Sequence, residues 1–243
     1  MYDLGEQFNM GLEKAKANPK CVFRGAKYRI TVLTDRLIRL EYQKDGQFVD
    51  QPSEFAWYRN FEKPYFLVKE DSRYLVIKSK YFKLSYVKNQ PFQGSKINTM
   101  ANLKVELLNT DRIWYYGHPE VRNYGSPGFS LDDTKGKVPL SKGLYSSDGF
   151  ATIDDSQSRI FNALGNLEER PEGSVDIYLF MYLKDFAACL KDYFMLTGYP
   201  ALIPRYALGN WWSRNVPYHD LELKNLIDEF EREEIPLSVL ALN

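Results

Sequence analysis

Cysteine and histidine are scarce in this sequence, with only two of each among 243 residues. Cys21 and Cys189 lie far apart and belong to no C-x-x-C pair or Cys/His cluster, which argues against a disulfide framework and against a zinc site. Unpaired cysteines fit a reducing compartment. We therefore expect a cytoplasmic protein that uses no metal and no other cofactor.

The sequence also lacks an excess of charge and any long apolar run. Its 32 basic and 32 acidic residues cancel, so it has no electrostatic footprint for nucleic acid or anionic lipid. No basic segment followed by an apolar stretch opens the chain, and no run approaches the length of a membrane span. We expect neither a nucleic-acid partner nor a membrane partner.

Nucleotide-binding glycine patterns are missing as well, because neither G-x-G-x-x-G nor G-x-x-x-x-G-K occurs. Aromatic residues, by contrast, are abundant, with 18 Tyr, 15 Phe and 4 Trp. Aromatic side chains favour strands and fill cores. They are also common where the flat faces of sugars are bound, although the structural role is the more frequent one.

Alternation of apolar and polar residues dominates the first three quarters of the chain and predicts many short strands with one buried face. Turn residues such as Asp45-Gly46 separate the strands. The pattern predicts a mainly β fold built as an antiparallel β-sandwich. The predicted core-facing sets are Tyr28, Ile30 and Val32; Ile38, Leu40 and Tyr42; Leu75 and Ile77; Phe82, Leu84 and Tyr86; Val105 and Leu107; and Val175, Ile177, Leu179 and Met181.

The hydrophobic period becomes helical in the last quarter of the chain. Asp185 is the predicted N-cap of a helix that ends before Gly198. Residues 206–212 are predicted as a strand, Asp220 as the cap of a second helix, and residues 237–242 as a strand that is apolar on both faces. Strands buried on both faces are typical of parallel sheets covered by helices, so this region predicts a β-α-β unit.

The predicted organisation is a sandwich domain over residues 1–184, a linking helix and connector over 185–203, and the β-α-β unit over 204–243. Two parallel strands and one helix leave an unpaired edge and uncovered apolar faces. The sequence ends at Asn243, where the next helix is expected. We therefore expect this unit to be completed either by further polypeptide or by self-association of the chain.

Four segments resemble, in the right order, segments of glycoside hydrolase family 31. Residues 28–42 (YRITVLTDRLIRLEY), with 48–53 (FVDQPS) and 59–61 (RNF), are similar to the family's first sandwich strands. Residues 143–156 (GLYSSDGFATIDDS) are similar to its stretch ending in Asp-Asp-Ser, and 204–214 (PRYALGNWWSR) and 235–240 (IPLSVL) resemble its first two barrel strands. Four ordered segments are more specific than any single motif.

The resemblance implies a galactose-mutarotase-like β-sandwich followed by the first β-α-β unit of a truncated (β/α)8 barrel. It also implies hydrolysis of α-linked glucosides or xylosides, with both catalytic aspartates on later barrel strands, beyond residue 243. One departure is visible at Ser147, where the family often has arginine, so that loop's role is not carried over. We expect no catalytic residue in this chain.

Two pairs of adjacent aspartates, Asp132-Asp133 and Asp154-Asp155, invite a catalytic interpretation. A retaining glycosidase needs two carboxyl groups about 5 Å apart that face one sugar. Neighbouring residues in an extended chain point to opposite sides, so neither pair suits this task. We interpret all four as turn or capping residues.

The expected substrate-binding residues are Trp211, Trp212 and Arg214, because active sites of such barrels lie at the C-terminal ends of the strands. Alternation places one tryptophan toward the barrel interior, and the family resemblance favours Trp211 as the one that faces sugar. Two alternatives stay open: both tryptophans pack the barrel, and Arg214 is a buried ion-pair partner.

The segment 111–142 is long and rich in Gly, Pro, Tyr and Asp, and a loop of this length is either functional or disordered. In the family a sandwich loop reaches over the barrel, so Asp111 and Trp114 are added as candidate substrate contacts. His118 with Glu120 is the local His–carboxylate option for acid–base chemistry. We interpret both as surface residues.

The sequence thus predicts the N-terminal fragment of a retaining α-glycosidase that acts on α-linked oligosaccharides or glycosides and is inactive alone. Two alternatives remain. The chain is a non-catalytic carbohydrate-binding or assembly module, or it is one half of a split glycosidase.

Overall fold

The computed structural model describes residues 12–97, 101–128, 131 and 134–242. The Asp132-Asp133 pair lies outside the described residues. The chain divides into two compact units, of which one ends at Tyr199 and the other begins at Pro200. The division falls inside the linking segment that was expected over residues 185–203, and the helix of that segment belongs to the larger unit.

The larger unit is built mainly of antiparallel strands in two five-stranded sheets. In chain order its strands are β1 (Val22–Arg24), β2 (Tyr28–Val32), β3 (Leu37–Tyr42), β4 (Leu67–Glu70), β5 (Tyr74–Lys78), β6 (Phe82–Val87), β7 (Leu103–Leu107), β8 (Ile113–Tyr115), β9 (Ala151–Asp154), β10 (Ile160–Phe161), β11 (Leu167–Glu168) and β12 (Val175–Phe180). The first sheet has the order β1-β2-β3-β12-β9 and the second the order β4-β5-β6-β7-β8, while β10 and β11 form a separate hairpin. Strands β9 and β8 are therefore edge strands.

The two sheets share one hydrophobic core between their inner faces. Ile30, Leu40 and Leu179 of the first sheet belong to the same buried cluster as Leu84 and Val105 of the second. The expectation of an antiparallel sandwich is thus met in its sheets and in its core. Alternating burial in β6 and β7 follows the predicted pattern of one buried face.

The first sheet departs from that pattern because both of its faces are buried. Every residue of β2 is buried, and so are all but one in β3 and in β12. Helix α1 (Phe186–Thr197) covers part of the outer face, where Cys189 and Leu196 join a second buried cluster. Asp185 is the N-cap of this helix as predicted, since its carboxylate accepts the Ala188 N–H.

Buried charges fill much of the remaining outer face of the first sheet. The Arg39 guanidinium donates to both oxygens of Asp176, at 2.8 and 2.6 Å. Arg29 forms a similar two-point pair with Glu41, at 2.6 and 2.7 Å, and Arg170 adds a bond of 2.9 Å to Asp176. The free-energy cost of removing charged groups from water is offset when each of them is paired with an opposite charge in this way.

The pKa of the Asp176 carboxyl reflects this competition. Burial by itself raises the pKa, but the charges of Arg39 and Arg170 hold it well below its usual range. A carboxyl whose folded pKa is depressed stabilises the fold above its unfolded pKa of about 3.9. That contribution is lost as the pH falls further toward the folded pKa.

The smaller unit contains one β-α-β arrangement. Strands β13 (Trp211–Ser213) and β14 (Val239–Ala241) pair in parallel, and helix α2 (Asp220–Arg232) lies between them in sequence. None of the described residues from 200 to 242 is buried. The predicted parallel strand pair is present, but this unit has no fully buried core residue within its described part.

Three details of this unit differ from the sequence-based expectations. The predicted strand 206–212 begins with a short 3-10 helix (Arg205–Leu208), and only residues from Trp211 onward are extended. The indole N–H of Trp211 donates to the Ala207 carbonyl at 3.1 Å across this turn. Helix α2 is capped by His219 rather than Asp220, and β14 is shorter than the predicted 237–242. Among the described residues, no helix has the length and apolarity needed to span a membrane.

Replacing Asp176 with asparagine is expected to lower the free energy of unfolding by about 3–5 kcal/mol, because Arg39 and Arg170 each lose one of their buried carboxylate partners. Urea unfolding at neutral pH measures the change. Glu106→Gln is the matched control, since Glu106 pairs with Lys83 at 3.5 Å near the surface and its loss is expected to cost less than about 1 kcal/mol. Equal effects of the two substitutions contradict the assigned role of the buried charges.

Candidate functional site

The edge strands β8 and β9 of the two sheets lie beside an open cleft of about 460 Å³. Trp114 of β8 is buried, and its indole N–H donates to the Thr152 hydroxyl of β9 at 2.9 Å. Ile177 of β12 also lines the cleft. Thr152 and Asp154 pair with Leu179 and Ile177, so both belong to the inner face of the first sheet. The cleft is therefore the open edge of the sandwich.

Trp114 was expected in a long loop, and that expectation is wrong in its structural part. The residue belongs to strand β8, where it pairs with Val105 of β7. Its buried ring is part of the main hydrophobic core, and its only ring donor is taken by Thr152. As a candidate substrate contact, Trp114 therefore offers the cleft an apolar wall.

His118 and Glu120 both line the cleft. The interpretation as a surface residue is wrong for Glu120, which is only 3% exposed, whereas His118 is half-buried. The Glu120 carboxylate accepts the backbone N–H of Thr152 at 3.2 Å, and His118 Nδ1 accepts the backbone N–H of Glu120 at 3.0 Å. An acceptor Nδ1 leaves the imidazole proton on Nε2, so neutral His118 is a donor through Nε2.

The pKa of His118 is lowered, first because burial disfavours the imidazolium. The carboxylates of Glu120 and Asp148 oppose this shift, whereas the Lys142 ammonium adds to it. The neutral form therefore prevails at neutral pH, in agreement with the hydrogen bond that Nδ1 accepts.

Tyr116, Asp154 and Lys142 complete the polar lining of the cleft. Burial raises the pKa of the Tyr116 hydroxyl, and the negative charge of Asp154 raises it further. Tyr116 thus keeps its proton at neutral pH and is available as a donor. Asp154 and Lys142 are exposed, so the cleft presents one anionic and one cationic group to solvent.

The Asp154-Asp155 pair has a different role at each position. Asp154 accepts the backbone N–H of Ser156 at 3.0 Å, which is the turn role that was expected. The same interpretation is wrong for Asp155, which is fully buried and binds Arg170 at 2.6 Å and the Ser53 hydroxyl at 2.7 Å. The two side chains therefore lie on opposite sides of the strand and do not converge.

Asp111 lines a neighbouring cleft of about 360 Å³ that shares His118 with the first. Its side chain is 95% exposed and lies 3.4 Å from the guanidinium of Arg112. Arg112 in turn donates to Asp148 at 2.7 Å. Asp148 precedes Gly149, whose φ of +81° explains the glycine at this turn.

In the smaller unit, Trp211, Trp212 and Arg214 lie in strand β13 or directly after it. Trp211 is 53% exposed, and Arg214 is exposed rather than buried in an ion pair. Trp212 packs against Phe230 of α2, with ring centroids 5.3 Å apart. Its indole N–H is buried without a hydrogen-bond partner. Trp211 is the tryptophan available for contact.

The sequence-based prediction did not include four of the residues that line the cleft: Tyr116, Lys142, Thr152 and Asp154. Alternation within β9 was a usable signal, because Thr152 and Asp154 share a face. The meeting of β8 with β9 depends on strand order, for which the sequence carries no local signal. Among the described residues, no group of His, Cys, Asp and Glu is arranged to hold a metal ion.

Solved structures with a similar fold include a glycoside hydrolase family 31 dextranase from Flavobacterium johnsoniae in complex with glucose. The TM-score is 0.53 at 16% identity, over 90% of this chain and 32% of the dextranase. A family 31 α-xylosidase from a soil metagenome, complexed with xylose, gives a TM-score of 0.52 at 14% identity over 90% of this chain and 39% of that one. A cycloalternan-forming enzyme from Listeria monocytogenes, in complex with a pentasaccharide substrate, gives a TM-score of 0.53 at 11% identity. The match covers 89% of this chain and 25% of that enzyme.

The chain has a fold found in glycoside hydrolase family 31. At these identities the similarity concerns the fold alone, and the chain spans between 25% and 39% of the length of these three proteins. No protein-family model and no curated protein sequence matches the chain significantly.

The imidazole of His118 is expected to titrate below the usual histidine pKa of about 6.5. Since folding then favours the neutral ring, stability falls as the pH drops through this value. Glu120→Gln is expected to lower the midpoint further, because it removes a carboxylate that favours the imidazolium. NMR of the ring carbons measures both midpoints. Exposed Glu54, paired with Arg159, is the control as Glu54→Gln; a midpoint at or above the usual value contradicts the assignment.

Gly94 allows the backbone of Tyr116 to approach closely, because a Cβ at this position would lie 1.8 Å from the Tyr116 carbonyl oxygen. Gly94→Ala is therefore expected to shift the amide resonances of Tyr116 and Gly117 and to lower the free energy of unfolding by about 1–3 kcal/mol. At Gly128 a Cβ meets only the Ser141 hydroxyl oxygen, at 3.9 Å, so Gly128→Ala is the control. An unshifted Tyr116 amide in Gly94→Ala argues against the close approach.

Proposed function

We propose that this chain is the N-terminal part of a retaining α-glycosidase of the family 31 type, which acts on α-glucosides or α-xylosides. The observation that carries this proposal is the fold similarity, which extends over about nine tenths of the chain with both a dextranase and an α-xylosidase. The four ordered sequence segments that resemble the family support it independently.

The smaller unit fits the opening of a (β/α)8 barrel, because its two strands are parallel and a helix connects them. Such barrels place their active sites at the C-terminal ends of the strands. Strand β13 has only three residues, and Arg214 directly follows its C-terminal end. We assign Arg214 and Trp211 to substrate binding, whereas Trp212 packs against Phe230 of α2. Exposed Trp211 offers a flat ring face to a sugar.

We place the two catalytic aspartates outside this sequence. Double displacement needs a nucleophile and an acid/base about 5 Å apart across one glycosidic bond. In the cleft of the sandwich, Glu120 and Asp154 each have one carboxylate oxygen bonded to a backbone N–H. These bonds give both carboxylates a structural role in the turn and edge strand that they support.

The partner of the smaller unit is then the rest of the barrel, whether on the same or on a second polypeptide. The absence of buried residues between positions 200 and 242 supports this view. The apolar strand pair and the exposed side chains of Leu208, Leu221 and Ile227 need such a covering.

The 243-residue chain is expected to show no hydrolysis of 4-nitrophenyl α-glucoside or α-xyloside, because the double-displacement pair is missing. Release of nitrophenolate measures turnover. The double variant Glu120→Gln with Asp154→Asn separates the possible origins of any signal. Turnover that this variant abolishes contradicts the proposal, whereas turnover that the variant retains comes from a contaminating host enzyme. The preference between glucoside and xyloside is measured with the complete barrel.

A further inference from the structure

The cleft at the edge of the sandwich is held open by bonds that do not involve a ligand. Trp114 is tied to Thr152 through the indole N–H, and Glu120 is tied to the backbone of the same residue. These two contacts join β8 and the following turn to β9. The cleft is therefore preformed, and its volume of about 460 Å³ falls in the range of small-molecule sites, roughly 300–1,000 Å³.

The walls of this cleft combine apolar and polar surface. Trp114 and Ile177 provide apolar surface, and the half-buried ring of Tyr116 provides an aromatic face with a hydroxyl donor. Neutral His118 directs its remaining acceptor to the backbone of Glu120, which leaves Nε2–H as a donor. The ring is fixed by Tyr115 and Phe150, with centroids 4.8 and 5.0 Å away.

The charges at the cleft do not favour a strongly ionic ligand. The cleft is lined by one positive charge, the Lys142 ammonium, and by two negative charges, the carboxylates of Glu120 and Asp154. A bound anion is repelled by the two carboxylates, and a bound cation is repelled by the ammonium. A neutral ligand with many hydroxyl groups suits the cleft better, because each hydroxyl both donates to a carboxylate and accepts from Tyr116, His118 or Lys142.

We propose that the cleft between β8 and β9 binds a neutral monosaccharide unit of a carbohydrate. Asp154 accepts hydroxyl protons at the mouth of the cleft, Tyr116 and His118 donate inside it, and the aromatic and aliphatic walls cover a sugar face. This site belongs to the sandwich and goes beyond the proposed glycosidase function, since binding here requires no barrel residue.

The test is a titration of the 243-residue chain with D-glucose and with D-xylose, followed by amide NMR. Binding is expected at roughly millimolar affinity for a single sugar unit, with shifts concentrated on Gly117, Glu120 and Thr152. Tyr116→Phe removes one hydroxyl and keeps the ring, and Asp154→Asn keeps an oxygen that accepts the Ser156 N–H. Each substitution is expected to weaken binding at least fivefold.

Asp71→Asn is the matched control, because Asp71 also caps a turn, at the backbone N–H groups of Arg73 and Tyr74, and lies outside the cleft. It is expected to leave the affinity unchanged. Glucuronate and glucose 6-phosphate test the charge argument and are expected to bind more weakly than glucose. The proposal is overturned by tighter binding of these anions, by the absence of shifts at the cleft amides, or by an affinity that Tyr116→Phe and Asp154→Asn leave unaltered.

Discussion

The two-point ion pair between Arg39 and Asp176 is the interaction on which the rest of the sandwich depends. It joins neighbouring strands β3 and β12 on the outer face of the first sheet, in a place where both partners are withdrawn from water. An unpaired charge there is costly, so the register of these strands is fixed by electrostatics as well as by packing. Arg29, Glu41 and Arg170 extend the same constraint across the sheet.

Fixing β12 in this way also fixes the edge where the cleft forms. Strand β9 pairs with β12 along its whole length, and this pairing turns Thr152 and Asp154 toward the inside of the sandwich. The second sheet brings Trp114 to the same edge, where it binds Thr152. The first sheet thus has paired charges on its outer face and apolar side chains on its inner face. Together they fix the position of its edge strand β9, and with it the polar side chains that line the cleft.

The residues of the inner layer of the sandwich could be predicted from the sequence, because alternation shows directly which residues face a core, as for Ile30 and Leu40. The buried charges of the outer layer could not be predicted from the sequence, since Arg39 and Asp176 are far apart in the chain and a charged residue normally indicates a solvent-exposed face. The same limit applied to the cleft. The burial of Glu120 is not evident from its sequence neighbours, because its carboxylate is bonded to β9, which the chain reaches only after a long irregular segment.

The paired charges are expected to make β3 and β12 the most stable part of the sandwich. Native-state hydrogen exchange measures this, because it reports the free energy of opening for each amide. The amides of Arg39 and Tyr178, which are partners in the β3–β12 register, are predicted to exchange only through global unfolding of the larger unit. Exchange of these two amides through local opening, with slower exchange in β5 and β6, contradicts the account.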